Sequence, residues 1–263
     1  MKITQILPKL IFSVLSTALI GSSVNAAPVS GRGTWETTLQ ARDLNGDSQT
    51  DAFYDTSLNI TWLANADLLR GYGWGSAMAF AANLSFGGFD DWRLPKVVDT
   101  GTPLCNYSNN GTDCGINVQT KAGDTVYSEM AHLWYVALGN CPALNPYDYT
   151  TQPYMYESTY CKSAQILRGL TNTGYFQGLG LSDYWTLTRN EPSTGGNVAF
   201  IFTMSNGYQD VAWQDMGRSS MFVRDGDVAL PAQIPEPESI TLVLTALGIL
   251  GLISRRRRGS ILS

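Results

Sequence analysis

The chain has 263 residues, of which 44% are hydrophobic and only 15% charged, with a formal net charge of −5. Such a hydrophobic content excludes a disordered chain. Four of the basic residues form the run Arg255, Arg256, Arg257 and Arg258 near the C-terminus, so the remainder is too acidic to suit a nucleic-acid partner.

Residues 1–26 read as a signal peptide. Lys2 and Lys9 flank a short basic region, residues 10–24 are apolar and small, and Val24-Asn25-Ala26 satisfies the small-residue rule for cleavage. Ser13, Ser16 and Gly21 interrupt an apolar run already too short for a permanent span. Residues 27–230 then suffice for a single domain with its own core. Export places Cys105, Cys114, Cys141 and Cys161 in an oxidising compartment, where an even number of cysteines implies disulfides. Of the three possible connectivities the sequential one, Cys105 with Cys114 and Cys141 with Cys161, closes two short loops. No pair has the close spacing of a zinc knuckle.

The domain opens with an expected strand at 33–39. Asp43, Asn45, Asp47 and Asp51 then place oxygen side chains at alternate positions, a spacing that can wrap a hard cation such as calcium. Ser48 stands where such loops carry Gly, and Tyr54 where they carry Glu. The competing reading is a loop of Asx-turns whose side chains bond their own backbone. Leu58, Ile60 and Trp62 alternate with polar neighbours and predict one half-buried strand over 54–63. Trp74, Ala77, Met78, Ala81 and Leu84 recur at helical spacing, predicting an amphipathic helix over 74–84 whose apolar stripe is core.

Residues 86–95 combine a turn, an aromatic anchor and paired charge. Gly87 and Gly88 permit left-handed backbone, and Pro95 stops regular structure. Asp90, Asp91, Trp92, Arg93 and Leu94 suit a ring buried at a layer junction beside a guanidinium held by bidentate hydrogen bonds. Residues 99–125 read as a long loop, and 128–138 as a second helix with Ser128 as N-cap and Gly139 beyond its end. His132, the sole histidine, sits among apolar neighbours and reads as a satisfied, partly buried residue. Residues 140–182 read as a second long loop and the expected ligand-facing surface. Strands follow at 184–189, 197–204 and 208–213, the last two joined through Asn206-Gly207 as a tight hairpin, and 220–224 closes the sheet. Two helices between an early strand and a late meander predict an α+β domain.

Asp55, Trp62, the Trp-led helix, the Gly88 to Pro95 string, Tyr184-Trp185 and Val223-Arg224 together resemble the domain of unknown function 1566 over roughly residues 50–225. That family includes the C-terminal domain of a collagen-like bacterial adhesin. The resemblance implies a C-type-lectin-like α+β fold with a mostly antiparallel sheet and long disulfide-tied loops, used for binding and not for chemistry. Asp225 stands where members often carry Cys. At the C-terminus, Pro235-Glu236-Pro237, an apolar run over 240–253 and the four arginines resemble the PEP-CTERM sorting signal over 235–258. Fourteen helical residues rise about 21 Å, short of the ~30 Å hydrocarbon core, with the arginines held at the cytoplasmic side. The resemblance implies transient residence in the inner membrane and processing by an exosortase-type enzyme.

The expected function is therefore an exported surface or matrix protein that binds an extracellular polysaccharide or a surface protein. The alternatives are a purely structural matrix role, or a polysaccharide-active enzyme using Asp90 and Asp91. No nucleophile elbow, metal-binding histidine cluster or phosphate loop supports catalysis.

Overall fold

Residues 198–202 form an unbroken, fully buried apolar run, which demands a sheet covered on both faces, and that sheet organises the fold. The computed structural model describes residues 27–100, 113–116, 118–142, 169–190 and 197–228. In chain order the elements are α1 (Trp35–Thr38), β1 (Leu39–Arg42), β2 (Ala52–Asp55), β3 (Ile60–Leu63), β4 (Leu69–Tyr72), α2 (Trp74–Asn83), β5 (Lys121–Ala122), β6 (Thr125–Val126), α3 (Glu129–Ala131), a π-helix (His132–Ala137), β7 (Asp183–Arg189), β8 (Val198–Thr203), β9 (Tyr208–Trp213), β10 (Arg218–Ser220) and β11 (Val223–Asp225). One sheet has the order β1-β2-β3-β11 and the other β4-β10-β7-β8-β9, beside the small β5-β6 ribbon.

Among the described residues strand accounts for 35% and helix for 15%, a β-sandwich-like fold that overturns the expected C-type-lectin-like α+β class. The physical reason lies in the strands: both expected helical segments are present, α2 with ten residues and α3 running on into the π-helix, but the strands divide between two sheets where one was expected. Cores lie on both faces of the five-stranded sheet. Tyr184 and Trp185, adjacent on β7 and both fully buried, point to opposite faces. Tyr184 joins Trp62, Trp134 and Phe202 in one cluster, and Trp185 joins Trp92, Leu94 and Phe222 in the other, beneath Ala77 and Ala81 of α2.

Four local expectations need correction. The strand predicted over 33–39 begins as α1, because Thr34 donates its N–H to the carbonyls of Val136 and Ala137 and pins the chain to the π-helix end. The single strand predicted over 54–63 is the hairpin β2–β3. Asp55 Oδ1 accepts from the backbone of Ser57 (2.9 Å) and Leu58 (3.2 Å), and Asn59 takes a φ of 55°, so the chain reverses inside the apparent alternation. The closing strand is two, β10 and β11, one in each sheet. The turn between β8 and β9 spans four residues, and only Gly207 takes positive φ; a Cβ there would meet the Trp134 ring at 2.5 Å. The helix over 128–138 starts as expected, with Ser128 Oγ accepting from Ala131 N at 3.1 Å. It then widens to i→i+5 bonding, including Leu138 N to Leu133 O at 2.8 Å.

The pairs proposed for Cys105 and Cys161 lie outside the described residues. Cys114 and Cys141 are buried, neither is a free thiol, and no disulfide joins two described residues. The signal peptide and residues 235–258, including the expected short membrane helix, also lie outside the described residues; among the rest no helix is long and apolar enough to cross a membrane.

Residues 86–95 are the junction. Gly87, at φ 62°, has no room for a Cβ, which would lie 2.5 Å from Leu44 Cδ1. Trp92 is buried, and its Nε1 donates to Phe86 O at 3.3 Å. The carboxylate that holds Arg93 is Glu129, with two bonds of 2.8 Å, and not the neighbouring Asp90 or Asp91. Arg93 also exchanges both backbone hydrogen bonds with Val223, at 2.7 and 2.8 Å, and its guanidinium reaches exposed Asp225. Breaking a buried ion pair from one side costs about 3–5 kcal/mol. Glu129→Gln is therefore expected to lower Tm by roughly 6–20 °C at ~2–4 °C per kcal/mol, whereas Asp225→Asn shifts it little; equal shifts from the two variants in a thermal melt contradict this assignment.

Candidate functional site

The residues singled out from the sequence divide into structural groups. In the 43–51 loop Asp43 Oδ1 accepts from Gly46 N (2.7 Å) and Oδ2 from Ser48 N (2.7 Å); Asn45, Asp47 and Asp51 likewise accept from Asp47, Gln49 and Leu44 N–H groups. These bonds, to Gly46 first, hold the Asp43 carboxyl below its ordinary pKa of 3.8. The hydrogen bonding is that of a chain of Asx-turns. Among the described residues no three Asp, Glu, His or Cys side chains gather where they could hold a metal ion.

Asp91 makes a bidentate pair with Arg224 at 2.7 and 2.9 Å, and the same guanidinium lies 4.2 Å from the Phe89 ring centre. Hydrogen bonding from Arg224 lowers the Asp91 pKa. Asp90 is exposed. The two adjacent carboxylates thus do not converge on a shared substrate position. Leu94 is fully buried, and Pro95 O accepts from Leu187 N at 2.7 Å.

His132 belongs to a buried polar cluster. Its Nε2 lies 2.9 Å from Ser57 Oγ, which donates a short bond to Asp55 Oδ1, while Lys121 Nζ donates to Ser57 O at 2.6 Å. Asp55 faces the hydroxyl and not the imidazole, so the order differs from that of a serine hydrolase triad. Asp55 Oδ2 and His132 Nδ1 are buried without a protein partner.

A groove across one end of the five-stranded sheet is better suited to ligands. Cross-strand register places Asp183, Thr203 and Tyr208 in one row, and Trp185, Ile201 and Asp210 in the next, on the same face. Thr203 Oγ1 donates to Asp183 Oδ1 at 2.8 Å, and Asp183 Oδ2 lies 3.2 Å from Arg218 Nε. Asp210, beside apolar Ile201, has its pKa raised by burial; the Val211 N–H at 2.7 Å opposes the rise and the charge of Asp183 adds to it. These groups, with Asn206, Trp213 and Met216, line a cavity of about 430 Å³. Met216 is 44% exposed at its rim, whereas the Trp213 side chain alternates to the opposite face of β9, beside Val198. A second cavity of about 310 Å³ adjoins it, lined by Arg70, Leu181 and Ser182 and sharing Asp183 and Arg218. Its Leu181 is 69% exposed.

The sequence pointed to the loop at 140–182 as the ligand-facing surface; Leu181 and Ser182 at its end line the smaller cavity, but the strand residues of the groove were missed. Its available signal was Asp210 in an otherwise alternating strand, at a position whose strand neighbours on the same face, Tyr208 and Ala212, are buried.

Residues 233–258 match the PEP-CTERM protein-sorting motif. The motif indicates an exported protein, sorted by an exosortase-type enzyme to the cell surface or extracellular space. The match covers this segment alone and does not extend to the likeness drawn for residues 50–225. No curated protein and no solved structure matches the chain.

Burial lowers the His132 pKa from 6.5; the charge of Asp55 opposes this and that of Lys121 adds to it. Between 6.5 and the lowered folded value the unfolded chain binds more protons than the folded one, so this histidine's stabilising contribution falls as pH drops through that window. The native protein is expected to lose urea resistance between pH 7.5 and 5.5 more steeply than His132→Asn; parallel losses contradict a buried neutral imidazole.

Proposed function

We propose that this is a non-enzymatic, exosortase-sorted protein of the cell surface or extracellular matrix, and that it binds extracellular polysaccharide through the groove on β7, β8 and β9. The reading assigns it a role in adhesion or biofilm association after transient residence in the inner membrane. The observation that carries it is a groove combining carboxylate, amide, hydroxyl and guanidinium groups with the exposed apolar side chain of Met216, on a chain bearing the sorting motif. Sugars present hydroxyls to such polar groups and C–H faces to apolar side chains. The engagement of Asp91 by Arg224 supports binding without turnover, because it leaves Asp90 and Asp91 unsuited to paired acid–base work.

The full-length protein is expected to bind the producing cells' own exopolysaccharide saturably, and Met216→Ala to weaken binding about tenfold, equivalent to ~1.4 kcal/mol. Saturable binding untouched by Met216→Ala places the ligand elsewhere, and absence of binding contradicts the reading. Replacing Pro235, Glu236 and Pro237 with alanine is expected to leave the chain unprocessed in the membrane fraction; normal release of the shortened product contradicts the sorting role.

A further inference from the structure

The two cavities at the end of the five-stranded sheet are not independent. Asp183 and Arg218 line both, so their ion pair forms the saddle between them. The smaller cavity is framed by residues on or next to β4 and β10, and the larger by residues on or next to β7, β8 and β9. In the strand order β4-β10-β7-β8-β9 the joined groove runs across the whole sheet, transverse to its strands. Four spacings of about 4.8 Å make it ~19 Å long, longer than one sugar ring. Exposed apolar side chains stand in both parts, Leu181 in the smaller and Met216 in the larger.

Both arginines are already matched: Arg218 faces Asp183 at 3.2 Å, and Arg70 faces Asp67 at 2.8 Å. An anionic ligand must therefore compete with an existing carboxylate and meet the further carboxyl of Asp210, whereas a hydroxyl can bond the unused lone pairs and N–H groups without separating either pair. We propose that the two cavities are successive subsites for one uncharged, hydroxyl-rich polysaccharide strand, laid transverse to the β-strands and passing over the Asp183–Arg218 saddle. This rests on the polysaccharide-binding reading above and deepens it: the site takes the interior of a chain, and neither a chain end nor a free monosaccharide is its preferred ligand.

The test is calorimetry of the full-length protein with linear neutral oligosaccharides of glucose, mannose and galactose, graded in length from a single sugar upward, and with an oligogalacturonate series as the anionic control. Affinity is expected to climb by about tenfold or more once a ligand spans both cavities, because the second contact becomes intramolecular. Leu181→Ala is expected to weaken the long neutral ligands and leave the short ones unchanged, while Met216→Ala weakens both. Affinity independent of length, equal effects of Leu181→Ala on short and long ligands, or preference for the anionic series overturns the two-subsite proposal and leaves polysaccharide binding standing. Failure of every oligosaccharide together with the exopolysaccharide itself overturns both.

Discussion

The Arg93–Glu129 ion pair is the constraint on which the rest of the structure depends. Its two 2.8 Å bonds join the turn after α2 to the start of the second helical segment, and the backbone exchange between Arg93 and Val223 adds the last strand of the four-stranded sheet. Three distant parts of the chain meet at one guanidinium. Glu129 Oε2 also accepts from Lys96 N at 2.7 Å, so little of the carboxylate's bonding capacity is left unused in a site where unsatisfied charge is costly. From this junction Trp92 and Leu94 enter one core while the helix beginning at Ser128 carries Leu133 and Trp134 into the other.

That geometry positions the groove. β10 and β11 are separated by Met221 and Phe222, both fully buried, and lie in different sheets. Fixing β11 against β3 and Arg93 therefore sets where β10, and Arg218 with it, can lie against β4 and β7. Arg218 then meets Asp183, and the ion pair becomes the floor shared by the two cavities. A rigid sheet carries the polar groups, so little ordering is required when a ligand arrives.

Much of the local structure was legible in the sequence. Helical spacing gave α2 nearly to its ends, alternation gave β7, β8 and β9, and the Ser128 cap was readable from residue type alone. The bidentate hold on Arg93 was expected too, but its partner was not, because Glu129 lies 36 residues away and sequence spacing carries no record of tertiary approach. The fold class failed for a related reason. Residues 54–63 alternate cleanly enough to read as one strand, yet Asp55 and Asn59 turn the chain through side-chain bonding and a left-handed φ. The candidate site was least legible, since Asp183, Asp210 and Arg218 come from three strands and form no motif; only their register and pairing bring them together.

The central claim is that polysaccharide lies across the end of the five-stranded sheet. Amide hydrogen exchange of the full-length protein, with and without the exopolysaccharide of the producing cells, tests it most directly. The account predicts added protection in residues 181–185, 201–213 and 216–219, with the β1 edge and the 43–51 loop unchanged. Protection confined to that edge or that loop, or no change anywhere at saturating polysaccharide, would contradict it.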